Sequence, residues 1–239
     1  ASYTLTTSDA HKYLRVVVTA NDGKGGTPTA TSAYTAIANS APTNSVAPTV
    51  SGTATVGNVL STTNGSWSDV DGDNRSYSYQ WYRADDTAGS GDTAISNATS
   101  ASYTLTTSDA HKYLRVVVTA NDGKGGTPTA TSAYTAIANS APTNSVAPTV
   151  SGTATVGNAL STTNGSWSDV DGDNRSYSYQ WYRADDTAGS GDTAISNATS
   201  ASYTLTTSDA HKYLRVVVTA NDGKGGTPTA TSTYTAIAN

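Results

Sequence analysis

Ser76-Tyr77-Ser78-Tyr79-Gln80-Trp81-Tyr82-Arg83, written again at 176–183, alternates aromatic with small or polar side chains. A period of two is the periodicity of a β-strand, so Tyr77, Tyr79 and Trp81 share one face and Ser78, Gln80 and Tyr82 the other. The run 113–120 is the most apolar in the chain and is expected to form a central strand, with Leu114, Val116, Val118 and Ala120 as its core face.

Working outward, turn clusters separate further short strands at 48–51, 57–63, 93–96, 102–106 and 129–137, the fourth of these presenting Tyr103 and Leu105 together. Seven such strands in about 100 residues point to an all-β, Greek-key β-sandwich. Composition agrees: Thr, Val and Tyr favour strands, while Gly, Asn, Asp and Ser favour turns.

The chain repeats itself. Residues 101–200 copy 1–100 with one change, Ala159 for Val59, and 201–239 copy 1–39 with Thr233 for Ala33. A unit of this length is too long for a solenoid turn and fits a small autonomous domain, so the sandwiches are expected as tandem modules joined end to end. Asn139-Ser140-Ala141-Pro142-Thr143-Asn144-Ser145-Val146-Ala147-Pro148 reads as a semi-stiff connector leading into an edge strand. It sets modules at 40–139 and 140–239. Residues 1–39 then carry the last three strands of another module, the tail of a longer tract, and their apolar face at Leu14, Val16 and Val18 is expected to lie open.

Composition also excludes functions. The net charge of −5 leaves no basic stripe for nucleic acid, and no apolar run is long enough for membrane insertion. Without cysteine there is no disulfide or thiolate chemistry, and without Cys or Met little to oxidise, which suits an extracellular setting.

Gln80-Trp81-Tyr82-Arg83 resembles the third strand of an immunoglobulin domain, and Asp109-Ala110-His111-Lys112-Tyr113 resembles the turn that leads to its tyrosine corner. The whole unit, through Val50–Gly57, Asn64-Gly65-Ser66-Trp67, Tyr79-Gln80-Trp81 and Ala94–Tyr103, resembles bacterial immunoglobulin-like and cadherin-like tandem repeats of large surface adhesins and secreted proteins. That resemblance implies localisation at the bacterial cell surface or outside the cell. The chain departs from the family in having no disulfide, so Trp67, Trp81, Tyr103 and the Val116/Val118 row are expected to supply core area instead, with Tyr82 as the exposed ring. Alternation alone puts Tyr113 on the face of Arg115, away from Leu114, so the corner assignment and the apolar row compete.

The sharpest chemical candidate is Asp69-Val70-Asp71-Gly72-Asp73, repeated as Asp169, Asp171 and Asp173. Alternating carboxylates around a glycine suit a hard cation such as Ca²⁺, although the acid expected at the twelfth position of an EF-hand loop is Gln80. The loop resembles the Asp-x-Asp-Gly-Asp loops of bacterial cadherin-like repeats. Asn121-Asp122-Gly123, with Asn221 and Asp222, resembles the late loop of the same families and is expected at the same end of the sandwich. The competing reading makes both stretches solvated turns. Asp85, Asp86 and Asp92 are expected at the opposite end.

His11, His111 and His211 are copies of one position, and one His per unit without Cys makes a poor zinc site; a solvated turn is expected. Ser108, Asp109 and His111 have triad residue types, yet adjacency in sequence is not triad geometry. Lys112 and Lys124 lie in turns, where an intramolecular isopeptide would not form. The resulting expectation is a non-enzymatic stalk, each module adding roughly 30–40 Å of reach from its strand lengths. The alternative is an array docking a surface glycan or protein ligand with avidity from repetition. Neighbouring modules of the same chain are the expected partners in either case.

Overall fold

A computed structural model describes all of residues 1–239. The chain divides into two compact units: Ala1–Ala54 with Val59–Thr104 and Lys112–Ala136, and Thr55–Asn58 with Leu105–His111 and Ile137–Asn239. Each is all-β apart from short 3-10 turns.

In the second unit, Ser176–Ala184 and Tyr213–Asn221 pair antiparallel along their whole length, from Ser176 opposite Asn221 to Ala184 opposite Tyr213. Thr193–Ala194 extends this sheet on one side, and Thr229–Thr231 and Thr235–Ala236 on the other. A second sheet orders Val150–Gly152, Ala159–Thr162 and Ser202–Thr204. The inner faces meet in one apolar cluster of Leu160, Trp181, Ala198, Leu205, Leu214, Val216, Val218 and Ile237, with Tyr203 packed against it. Two sheets around one core make an immunoglobulin-like β-sandwich. Trp181, Leu214, Val216 and Val218 are fully buried. On area grounds each such side chain contributes about 1.5–3 kcal/mol. Near the end of the chain Thr155 bridges Ala238 in parallel, with the Ala238 amide donating to the Ala154 carbonyl at 2.8 Å.

In the first unit the same register runs from Tyr113 opposite Ala84 to Asn121 opposite Ser76, and Trp81, Leu114, Val116, Val118 and Ala120 are fully buried. Residues 1–39 hold only the Tyr13–Leu14/Thr35–Ala36 and Val17–Thr19/Thr29–Thr31 pairs. Their apolar face stands open, with Leu5, Val16 and Val18 each more than half exposed.

Several expectations need correction. The last strand is not continuous over 129–137: it breaks between Thr129–Thr131 and Thr135–Ala136. The Ser132 hydroxyl accepts the Val116 amide at 3.0 Å and donates to the Ala133 carbonyl at 2.9 Å, replacing the ladder there. Within the supposed connector, Thr143–Val146 is a strand paired with Ser166–Ser168 through a bulge, and Thr43–Val46 pairs likewise with Ser66–Ser68. Trp67 and Trp167 are half-buried, each indole donating at 2.8 Å to a backbone carbonyl, of Asn64 or Asn164. Tyr82 is half-buried too, because Arg115 lies 4.3 Å above its ring. Tyr213 shares its face with Arg215, and the tyrosine rings packed on the core are Tyr177, Tyr179 and Tyr203. The apolar row therefore prevails over a tyrosine corner at this position. Both differences between copies, at 59/159 and 33/233, sit on exposed side chains.

Candidate cation-binding cluster

The second unit's acidic loop follows directly on the Ser166–Ser168 strand. The Asp169 side chain accepts the Asp171 amide at 2.9 Å, and its carbonyl accepts the Gly172 amide at 3.2 Å. Gly172 closes this turn at φ +81°, a conformation that a side chain at that position would strain. The tight turn brings the alternate carboxylates together at one end of the sandwich.

A second loop meets it. Asp222 Oδ1 accepts the amides of Lys224 at 2.7 Å and Gly226 at 2.9 Å, fixing the carboxylate. A methyl group on Gly226 would overlap that carboxylate, so glycine is required for close approach. Residues at the start of the unit's 137–239 segment complete the arrangement. Asn139 Nδ2 donates to Asp222 Oδ2 at 2.9 Å, and the Ser140 amide donates to Asp171 Oδ2 at 2.5 Å. His111, held at φ +60°, places Nε2 2.8 Å from Asp173 Oδ2.

Asp169, Asp173 and Asp222 thus offer oxygens within 4.8 Å of one another, and His111, Asp171 and Asp173 offer a second such group. Two like charges about 4 Å apart repel by roughly 4 kcal/mol at an effective dielectric of about 20. Asp171 is 6% exposed and Asp222 5%. The Asn139 amide is the largest influence holding the Asp222 carboxyl below its ordinary value; burial opposes it, and the Lys224 and Gly226 amides assist. Asp169 Oδ2, Asp171 Oδ1 and Asn139 Oδ1 are buried with no hydrogen-bond partner. Buried acceptors are ordinarily satisfied, so three at one place are unusual.

The first unit repeats the hydrogen bonds and one of the two groups. Asp69 accepts the Asp71 amide at 2.9 Å, Ser40 donates to Asp71 at 2.5 Å, and Asn39 donates to Asp122 at 2.9 Å. His11 lies 2.8 Å from Asp73, and His11, Asp71 and Asp73 fall within 4.8 Å.

Of the residues singled out from sequence, the structure gathers Asp169, Asp171, Asp173 and Asp222. It does not gather Asn121 or Asn221, each of which turns its side chain to its own loop, accepting the amide of Gly123 or Gly223 at 2.7 Å. His111 is half-buried against Asp173 and so is not the solvated turn residue expected, whereas His11, although it meets Asp73, and His211 are exposed turn residues as expected. Asn139 and Ser140 were missed because a Pro-marked stretch reads as linker, and His111 because Asp173 lies 62 positions away.

The triad residue types do not assemble. Asp209 is fully buried and committed elsewhere: its Oδ2 accepts the Thr206 amide at 2.7 Å, the Thr206 hydroxyl at 2.8 Å and the Tyr203 hydroxyl at 3.0 Å. Asp85 pairs with Lys112 at 2.6 Å, Asp92 pairs with Arg115, and Asp86 accepts the Ser90 hydroxyl at 2.7 Å. Asp85 and Asp92 are thus paired with cations, although Asp92 Oδ1 is buried without a hydrogen-bond partner. Lys112 and Lys124 both lie at the surface, outside the core an isopeptide would need.

No protein-family model and no curated protein sequence matches the chain. Among solved structures, the FN1-FN3 domains of chicken CNTN1 match at 18% identity, covering 95% of this chain and 77% of that one, with a TM-score of 0.27. The sandwich is defined by the strand register and the shared apolar core of the two sheets.

Proposed function

We propose that this chain is part of a non-enzymatic stalk of a large bacterial surface or secreted protein, an adhesin-type array whose modules hold a functional domain away from the cell. The observation behind this reading is the repetition itself. Each copy carries its own core residues and end-loop acids, and the copies vary only at exposed positions. A reaction site gains little from being copied, whereas length grows with every copy.

Polypeptides with one, two and three repeats, compared by small-angle X-ray scattering, test the proposal. Maximum dimension should rise by roughly 30–40 Å per repeat. A dimension that stays flat would sink the spacer reading. Binding on a glycan array that strengthens with copy number would favour a multivalent docking module instead.

A further inference from the structure

We infer that the open face of residues 1–39 is a docking surface for a polypeptide with the sequence of residues 40–100, bound by strand addition to both sheets at once. The occupant is read from the chain's own copies. Residues 101–139 have the same sequence as 1–39. There Ser76–Ala84 lies along Tyr113–Asn121, with Trp81 opposite Val116 and Tyr79 opposite Val118. In the other sheet Val59–Thr62 lies along Ser102–Thr104, with Leu60 opposite Tyr103. Leu105, Val116 and Val118 are buried as a result. The matching Leu5, Val16 and Val18 are each more than half exposed. Leu5 and Val16, with Tyr3, Leu14 and Ile37, line an open groove of about 610 Å³. Tyr13–Leu14 and Val17–Thr19 pair on one side only, with Thr35–Ala36 and Thr29–Thr31, so their other edge is a template for an added strand.

The face is already set in the form it takes inside a closed sandwich. The Thr6 amide, the Thr6 hydroxyl and the Tyr3 hydroxyl each donate to Asp9 Oδ2 at 2.9 Å, and the Ser32 hydroxyl accepts the Val16 amide at 3.0 Å. The same bonds hold Asp209 and Val216 in the second unit. A surface that need not rearrange binds at a lower entropic cost. In the second unit Asp209 Oδ1 also accepts Arg183 of the covering strand at 2.6 Å. Asp9 Oδ1 is therefore the atom that Arg83 of the incoming segment reaches, and this pair fixes the register. A second copy of the chain does not fit. Its 40–100 and 140–200 segments already cover 101–139 and 201–239, so lending one out opens as much face as it closes. The docking face stands independently of the stalk reading, which would survive its failure.

Titrating the full chain into a fluorescently labelled, soluble polypeptide of residues 40–100, followed by fluorescence anisotropy, tests the surface. Saturable one-to-one binding is expected. Val16→Asp should weaken it at least about tenfold and Val146→Asp should leave it unchanged, both positions being exposed and so tolerant of the charge. Arg83→Ala in the labelled polypeptide and Asp9→Asn in the chain should each weaken binding by about tenfold, and together no further than either alone. No saturable binding, or binding undiminished by Val16→Asp in a chain that circular dichroism shows to be folded, would overturn the proposal. So would a wild-type dimer, seen by sedimentation, that Val16→Asp dissolves, since the face would then take a second copy.

Discussion

Arg183 and Asp209 form an ion pair whose acid is wholly shut from water, with Arg183 Nε donating to Asp209 Oδ1 at 2.6 Å. The two residues lie 26 positions apart, on the Ser176–Ala184 strand and in the Thr207–Asp209 turn. Burial alone would make such a charge costly, and the Thr206 and Tyr203 donors complete its solvation. Asp209→Ala should therefore cost about 3–5 kcal/mol, because Arg183 loses its partner. Urea unfolding of the full chain, followed by circular dichroism, measures the change.

Acid should weaken the fold through two carboxylates. Burial pushes the Asp209 carboxyl up, but the Thr206 amide and hydroxyl, Arg183 and Tyr203 together hold it below its ordinary value of about 3.8. The Asn139 amide leads in holding Asp222 below the same value. A depressed acid stabilises the fold above its unfolded pKa, and that contribution is lost as pH falls through the folded pKa. Stability should thus be level from neutrality to about pH 4 and fall below it. Asp209→Asn should flatten the fall, which melting curves at stepped pH will register.

Positions 159 and 181 should behave oppositely. Ala159→Val restores the residue of the other copy at an exposed site and should change stability by less than about 0.5 kcal/mol. Trp181→Ala empties the centre of the core and should cost about 3–5 kcal/mol. Paired denaturation curves decide both.

Gly226→Ala should destabilise by about 1–3 kcal/mol, since the added methyl displaces the Asp222 carboxylate from the amides that hold it. Hydrogen exchange at the Lys224 and Gly226 amides should quicken in the same variant.

The sandwich was legible in sequence because alternation reports burial directly: Leu114, Val116, Val118 and Ala120 are the buried row of their strand. The breaks were not. Ser132 replaces a ladder bond with its hydroxyl, and no periodicity announces that. Trp67 looked like core because it is large, yet its indole hydrogen is spent on the Asn64 carbonyl at the sheet margin. At the acidic end, Asp169, Asp171 and Asp173 were visible as a pattern. Asn139, Ser140 and His111 were not, because they come from segments that read as linker and turn and meet the loop only through folding.

The parallel bridge between Thr155 and Ala238 has a mechanical meaning. Neighbouring segments that run in the same direction are dragged in opposite directions when a chain is tensed from its two sides. The Ala238–Ala154 hydrogen bond is then strained sideways and must slide, whereas a hairpin opened from its free ends is unzipped bond by bond. Tension from the C-terminal side reaches this bond directly at Ala238, whereas from the N-terminal side it passes first through the paired strands Thr143–Val146 and Val150–Gly152.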